Sequence, residues 1–239
     1  MNPIIDGIVK ALELIFSGDP TVYGILFRSL FFSGTAAILA ALWGTPIAMV
    51  LALGDFRGKS IAKGLFNTLI GMPTVALGLI LFLIFSKAGP LGFLGLLYTP
   101  GAIILGEAVL VTPLVVTIAT SAIEAVDPEM MNLAKTLGAS HSQASIAVLK
   151  EAASGIIFSN VASLNRAIAE LGVALLVGGN LAGVTDVMTT DISMYTNRGD
   201  FALAIALSII LLMVVFGINL IIILAKNPRV LFILGRSPQ

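Results

Sequence analysis

Five long apolar stretches constrain the fold of this chain more than any other feature of its sequence. Each is close to or above the roughly 20 residues that a helix needs to cross the hydrocarbon core of a bilayer. They are Ser29–Leu53, Leu65–Phe85, Ala102–Val126, Ile156–Val177 and Phe201–Ala225. Charged residues make up only 11% of the 239 residues, whereas soluble domains carry about 25%. We therefore predict an all-α polytopic membrane protein with five membrane-spanning helices; a sixth embedded segment between Gly178 and Asp200 is an open alternative.

The remaining composition argues against several classes of function. The formal net charge is zero, so no overall field attracts nucleic acid. The chain has no cysteine and a single histidine, His141, which argues against thiolate metal sites, cysteine nucleophiles and a Ser-His-Asp triad. Neither Trp43 nor the methionines indicate a cofactor, and none is predicted.

The N-terminal residues 1–20 differ from the apolar stretches and are predicted to form an amphipathic helix on the membrane surface. Their isoleucines and leucines fall on one helical face, and the charged residues Asp6, Lys10 and Glu13 lie off it. Gly18-Asp19-Pro20 predicts a turn that ends this helix. The predicted membrane domain is 21–226, and 227–239 form a C-terminal tail.

The distribution of lysine and arginine predicts the orientation in the membrane, because cytoplasmic loops are enriched in both. With five crossings the basic residues outside the membrane fall into two sets. The larger set contains Arg57, Lys59, Lys63, Lys135, Lys150, Lys226, Arg229 and Arg236, and the smaller contains Lys10, Arg28, Lys87 and Arg198. The larger set is predicted to be cytoplasmic, which places the N-terminus outside and the C-terminus inside.

The segment between the third and fourth stretches, DPEMMNLAKTLGASHSQASIAVLKEA, carries helix start and stop signals in close succession. Asp127 is a favourable N-cap and Pro128 suits the first helical position. Gly138 can adopt the left-handed conformation that closes a helix. Ser140 and Gln143 have the spacing of a capping box. The segment 127–150 is therefore predicted to fold as helix, glycine corner and helix on the cytoplasmic side.

This corner is predicted to present small and apolar side chains to the groove of a partner protein. The predicted contact residues are Asn132, Leu133, Ala134, Lys135, Thr136, Leu137, Gly138, Ala139 and Ser140. A plain connecting loop is the alternative interpretation.

The same segment resembles the cytoplasmic signature of permease subunits from ABC importers. Ala134 and Gly138 match that signature, whereas Asn132, Leu133 and Lys150 depart from it. Five other motifs resemble the tungstate, molybdate and sulfate type of these permeases. These motifs are Phe56-Arg57-Gly58-Lys59, Gly71-Met72-Pro73-Thr74, Gly89-Pro90-Leu91-Gly92, Asn165-Arg166-Ala167-Ile168-Ala169-Glu170-Leu171-Gly172 and Gly178-Gly179-Asn180. Within the fourth motif, the sequence Ala-Glu-Leu-Gly at 169–172 resembles the tungstate branch.

The resemblance implies a membrane permease that works as a homodimer by alternating access. Two ATPase subunits would dock on the cytoplasmic corners, and an extracytoplasmic binding protein would deliver an oxyanion, tungstate first and molybdate or sulfate next. The chain itself would hydrolyse no ATP, and its sequence contains no G-x-x-x-x-G-K-[ST] phosphate loop. Two alternatives remain, a secondary ion-coupled transporter and a membrane subunit that conducts nothing.

Polar residues inside the apolar stretches are candidates for the pathway or gate. Arg166 and Glu170 are four residues apart, as on one helical face, and charges there are costly unless paired. They either act on the anion or form a structural ion pair, with Glu107 as a further candidate partner. Hydroxyls in this set either meet the anion or bond to their own helix. The full set is Pro73, Thr74, Thr112, Asn160, Ser163, Arg166 and Glu170. Pro46, Pro73 and Pro113 are predicted to kink their helices.

The extracytoplasmic segment Gly178 to Asp200 is acidic, since Asp186, Asp191 and Asp200 outnumber Arg198. We expect a short surface helix around 184–195. The acidic side chains either dock the binding protein or are ordinary solvated loop residues.

Overall fold

The computed structural model describes residues 3–226, and this part of the chain is all-α, as predicted. The predicted tail 227–239, with Arg229 and Arg236, lies outside the described residues. One turn of 3-10 helix spans Gly92–Leu94. The α-helices are α1 Pro3–Ser17, α2 Pro20–Leu53, α3 Lys59–Leu69, α4 Thr74–Phe85, α5 Pro100–Glu124, α6 Pro128–Thr136, α7 His141–Glu151, α8 Ala153–Ile168, α9 Gly172–Gly178, α10 Met188–Asn197 and α11 Phe201–Lys226.

Among the described residues, three helices are long and apolar enough to cross a membrane, namely α2, α5 and α11. Two further spans are possible by length and composition if each bent pair counts as one. The pair of α3 and α4 is bent by 100°, and the pair of α7 and α8 by 62°. The pair of α3 and α4 covers the predicted stretch Leu65–Phe85. The predicted stretch Ile156–Val177 falls instead on α8 and α9, and it shares only α8 with the second pair.

The second apolar stretch is interrupted at residues 70–73, where α3 ends and α4 begins. Pro73 has no amide hydrogen to donate, and it disfavours a helical conformation at Met72. Pro46 and Pro113 lie inside α2 and α5, which continue past them. Of the three prolines predicted to kink a helix, Pro73 is the one that lies at a break.

The fourth stretch is interrupted as well, between Ile168 at the end of α8 and Gly172 at the start of α9. The preceding helix α7 does not continue straight into α8 either. The average hydropathy of a stretch does not locate these breaks, because apolar residues such as Ile70, Met72 and Leu171 stand at both of them.

The chain separates into two compact units. One contains α1, the first residues of α2, α10 and α11. In it α1 ends at Ser17, and Gly18 has φ +66°, which confirms the predicted turn. Ala11 and Leu14 of α1 are buried with Leu207 of α11. The predicted position of α1 on the membrane surface, and the predicted domain limits at 20 and 226, stay predictions.

The other unit spans Phe27–Val187. Its largest apolar cluster joins α4, α5 and α9 through residues such as Leu81, Ile103 and Val177. A second cluster joins the far end of α5 to α2 and α7. Both candidate functional regions belong to this unit.

Candidate functional site

The first candidate region is the helical corner formed by residues 127–140, which we name the elbow. Asp127 Oδ1 accepts a hydrogen bond from the Glu129 amide at 2.9 Å, and Pro128 occupies the first helical position of α6. Ser140 and Gln143 form the predicted capping box in both directions at the start of α7. Both predicted helix starts are confirmed.

Gly138 closes α6 in the left-handed conformation, with φ +88°. The Ala139 amide donates to the Ala134 carbonyl and the Gly138 amide to the Lys135 carbonyl, each at 3.0 Å. This pair of bonds is the Schellman arrangement, which satisfies carbonyls that a helix end otherwise leaves free. The corner is therefore held by its own backbone and has a defined angle.

The elbow exposes two leucines at its tip. The exposed fraction is 61% for Leu133 and 81% for Leu137, whereas Ala134 and Ala139 are half-buried. Lys135 and Thr136 are exposed beside them. The predicted apolar knuckle is thus formed mainly by the two leucines, which lie one helical turn apart.

The base of the elbow is packed onto the long helices. Met131 of α6 and Val148 of α7 contact a cluster that contains Ala48 of α2 together with Ala119 and Ile123 of α5. This packing connects the elbow to the ends of α2 and α5.

The second candidate region lies where the two interrupted stretches meet, and we name it the paired break. A Cβ atom on Gly172 would lie 2.7 Å from Thr74 Oγ1 and 2.9 Å from the Val75 amide nitrogen. The start of α9 therefore approaches the start of α4 so closely that only glycine fits without displacement. Pro73 and Thr74, predicted from the sequence, lie at this contact.

Arg166 and Glu170 form the predicted ion pair, with 2.8 Å between Arg166 Nη1 and Glu170 Oε2. Glu170 follows the end of α8 and its side chain is only 2% exposed. Its other oxygen, Oε1, accepts a hydrogen bond from the Val173 amide at 3.0 Å. One carboxylate thus pairs with the last turn of α8 and caps the first turn of α9, which supports the structural interpretation of Glu170 over contact with an anion.

Glu107 of α5, the other partner considered for Arg166, is almost completely buried. Its hydrogen-bonding neighbour is Ser33 of α2, and Glu170 is close enough to act on it electrostatically. The ion pair shown for Arg166 is with Glu170.

Two of the candidate hydroxyls bond to their own helices. Thr112 Oγ1 donates to the Ala108 carbonyl and accepts from Trp43 Nε1, both at 2.6 Å. Ser163 Oγ donates to the Asn160 carbonyl at 2.8 Å. These contacts favour the interpretation in which both hydroxyls are structural. The sequence analysis missed Trp43 as a polar link between α2 and α5, because an indole in an apolar stretch looks like packing.

Asn160 of α8 borders a groove of about 480 Å³ that α2 and α8 line mostly with apolar side chains. Within the described part of the chain, its Oδ1 atom is buried and has no hydrogen-bond partner. Of the predicted pathway residues, Asn160 is the one that combines an open surface with an unsatisfied polar atom.

The prediction of an exposed acidic surface after α9 is wrong for two of its three aspartates. Asp186 and Asp191 are buried, with 4% and 3% exposure. Asp186 forms an ion pair with Arg28 of α2. The sequence does not indicate this contact, because the two residues are far apart in the chain. Asp200 is exposed and accepts from the Leu203 amide at the start of α11. The expected short helix is present as α10, displaced toward the C-terminus.

Comparison with known proteins places this chain in a family. The family model described as "Binding-protein-dependent transport system inner membrane component" matches residues 44–227. The chain is 39% identical over 222 residues to the tungstate uptake system permease protein TupB of Peptoclostridium acidaminophilum, which covers 93% of this chain and 97% of that protein. It is 36% identical over 221 residues to the protein of the same name from Campylobacter jejuni, covering 92% of each.

A solved structure, described as the crystal structure of an amino acid ABC transporter with histidines, superimposes with a TM-score of 0.60. The superposition covers 86% of this chain and 91% of that one, at 20% identity. At that identity the match concerns the fold. The family model and the relatives agree, and the chain belongs to the inner membrane components of binding-protein-dependent transport systems.

Proposed function

We propose that this chain is the permease subunit of an ATP-driven importer of a tetrahedral oxyanion, with tungstate as the first candidate and molybdate and sulfate next. The main support is the similarity, over more than nine tenths of the chain, to two permeases named for tungstate uptake. The chain would carry no ATPase activity itself and would depend on a separate ATPase subunit.

The elbow is the proposed docking point for that ATPase. Its two exposed leucines offer an apolar contact, and its Schellman corner keeps the contact at a fixed angle to α7. Residues 132–140 would enter a groove of the ATPase on the cytoplasmic side, with the N-terminus of the permease outside and its C-terminus inside. The packing of Met131 and Val148 against α2 and α5 supports transmission of the movement.

The complex would contain two copies of this chain, two ATPase subunits and one extracytoplasmic binding protein. In alternating access the closing of the ATPases would push both elbows and turn the helices as rigid bodies. Such a change requires each ligand to bind one of the two states more tightly than the other. For ATP, the contact between the elbow and the ATPase would make one state of the permease more favourable when ATP is bound.

The paired break is the proposed moving part of the pathway. Helices that end and restart can rotate at the break without bending their hydrogen-bonded segments, and membrane proteins tolerate such breaks where protein or water surrounds them. Pro73, Thr74 and Asn160 would lie along the route, with Thr112 and Ser163 supporting it. Arg166 would attract the anion transiently, since 38% of its side chain remains exposed beside Glu170.

Uptake into proteoliposomes tests this function. The permease is co-reconstituted with its ATPase and binding protein, and accumulation of tungstate is measured with ATP inside and with an ion gradient alone. ATP-dependent accumulation that survives collapse of the gradient is expected. Accumulation driven by the gradient without ATP identifies a secondary carrier, and the absence of accumulation under either condition identifies a non-conducting subunit.

A further inference from the structure

Glu107 of α5 is a buried carboxyl group for which the proposed transport mechanism has no use. It lies about 10 Å along the helix from Pro100, inside one of the long apolar helices. The residue is only 1% exposed. Acidic side chains inside membrane helices are rare and costly, and they commonly mark a functional site. The surroundings of this group therefore decide whether it can carry a charge.

The carboxyl group of Glu107 is incompletely paired. Ser33 of α2 is its hydrogen-bonding neighbour. Within residues 3–226 the Oε2 atom has no hydrogen-bond partner, although it is buried. A carboxylate oxygen in this position is costly, because it has lost its hydration and gained no donor in exchange. Since protein atoms enclose Oε2, no water molecule or metal ion fits beside it.

The ionisable side chains around Glu107 already form ion pairs with one another. In the unit Phe27–Val187, α4 and α9 pack against α5 and carry no ionisable side chain. Those on α2, on α8 and in the segments that follow α8 and α9 form two pairs, Arg28 with Asp186 and Arg166 with Glu170. The ionisable side chains of α3, α6 and α7 belong to helices that meet the opposite end of α5.

Glu170 is the ionisable group that acts on Glu107 electrostatically. It is buried as well, with 2% exposure, and it keeps its own partners, Arg166 and the Val173 amide. Two carboxylates that share a region of low dielectric constant repel each other. A charged Glu107 would therefore meet a like charge, whereas the guanidinium group nearest to that charge is already engaged.

We infer that Glu107 is a proton-binding site and that the chain folds around it as a neutral carboxylic acid. A proton needs no space beyond the oxygen that carries it, and it removes both the unbalanced charge and the repulsion from Glu170. A neutral hydroxyl without a partner still costs free energy, but far less than an ionised oxygen does. Because Glu170 also caps the first turn of α9, the proton allows α5 to pack beside the paired break. The site is independent of which solute the permease carries.

Infrared spectroscopy of the full-length chain in nanodiscs tests the site, because a carboxylic acid and a carboxylate absorb at separate frequencies. At neutral pH the unmodified chain should show the carbonyl band of a carboxylic acid, and E107Q should lose it. E13Q is the matched control, since Glu13 is exposed and paired with Lys10, and it should leave the band unchanged. S33A removes the hydrogen-bonding neighbour and should shift the band without abolishing it, which assigns the band even if E107Q fails to fold.

Thermal unfolding in the same nanodiscs is the second measurement. An unfolded chain releases the proton above about pH 4.3, the ordinary pKa of a glutamate side chain, whereas the folded chain keeps it. Unfolding at neutral pH therefore releases one proton, and stability falls as the pH rises. The unfolding equilibrium constant of the unmodified chain should rise by up to about tenfold per pH unit relative to that of E107Q. The difference in melting temperature should accordingly shift in favour of E107Q as the pH is raised.

The opposite results are equally clear. A carbonyl band of equal intensity in the unmodified chain and E107Q, or a melting-temperature difference that stays constant with pH, overturns the inference. Stabilisation of the unmodified chain by Na⁺ over K⁺ that E107Q lacks would assign a bound cation to the group instead of a proton. Absence of tungstate uptake by the complex, with the carboxylic acid band present, contradicts the proposed function and leaves the proton site in place.

Discussion

Arg28 of α2 donates through Nη2 to Asp186 Oδ2, with 2.7 Å between the two atoms, and through Nε to the Asp186 carbonyl oxygen. The two residues are 158 positions apart in the sequence. Asp186 is almost completely buried, whereas Arg28 keeps about a fifth of its side chain exposed. The pair thus ties the segment that follows α9 to the first long helix.

Replacing Asp186 with alanine should destabilise the protein by about 1–3 kcal/mol, because Arg28 would lose its partner in a partly buried position. Thermal unfolding in detergent measures the change. E13A is the matched control, since it breaks the exposed pair of Lys10 and Glu13, which should contribute less than about 1 kcal/mol. Equal melting temperatures for D186A and E13A would show that the Arg28 contact contributes nothing measurable.

Replacing Gly138 with valine should weaken binding of the ATPase. The residue has φ +88°, and a β-branched side chain in that conformation costs about 1–2 kcal/mol or shifts the corner. Co-purification of the ATPase with the inserted permease measures the effect. G199V is the matched control, because Gly199 also has positive φ, +79°, but lies before α11 and outside the elbow. Full ATPase binding and coupling in G138V would contradict the proposed docking point.

Replacing Leu137 with serine should weaken ATPase binding by about tenfold, because central apolar anchors contribute most to such contacts. The side chain is 81% exposed, so the permease alone should unfold at an unchanged temperature. A binding titration of the ATPase against the solubilised permease gives the affinity. I61S serves as the control, because it removes an equally exposed apolar side chain, 80% exposed, from α3 outside the elbow. An unchanged affinity for L137S would place the contact elsewhere.

Replacing Met131 with alanine should separate docking from coupling. Met131 packs against the cluster that joins the elbow to α2 and α5, and truncation of a half-buried methionine costs about 1–2 kcal/mol of local packing. ATPase binding should persist while transport per ATP hydrolysed falls. The neighbouring M130A, which truncates a half-buried methionine outside that cluster, is expected to keep normal coupling. A drop in ATPase binding, with an unchanged transport ratio, would refute the proposed route of transmission.

Replacing Gly172 with alanine should impair transport more than insertion. The added methyl group would meet Thr74 Oγ1 at 2.7 Å and the Val75 amide at 2.9 Å, and a backbone atom cannot move aside as a side-chain end can. We expect a cost of about 1–3 kcal/mol and uptake reduced by about tenfold. G217A is the control, because among the described residues no heavy atom outside its own turn of helix lies within 4 Å of the position of its added Cβ. Wild-type uptake by G172A would show that transport tolerates a wider separation between the start of α4 and the start of α9.

Local sequence signals predicted the elbow well. Caps, a capping box and a glycine corner act within about five residues, so the same short-range hydrogen bonds form whatever the rest of the chain does. Asp127, Ser140 and Gly138 adopt the predicted roles for that reason. The helical class and the approximate positions of the apolar stretches followed from composition and run length in the same way.

The tertiary structure decided the features that depend on residues far apart in the chain. In the sequence Asp186 looks like a surface residue, and only the structure shows its pairing with Arg28, 158 positions away. Gly172 looks like an ordinary helix residue, and only the structure shows that Thr74 lies against it. Thr117 and Thr120 look like helix residues with satisfied hydroxyls, but within residues 3–226 both side-chain oxygens are buried without a hydrogen-bond partner. Sequence alone determined what could form within a few turns of helix, because those interactions are local; burial, pairing and cavities were decided by which helices meet.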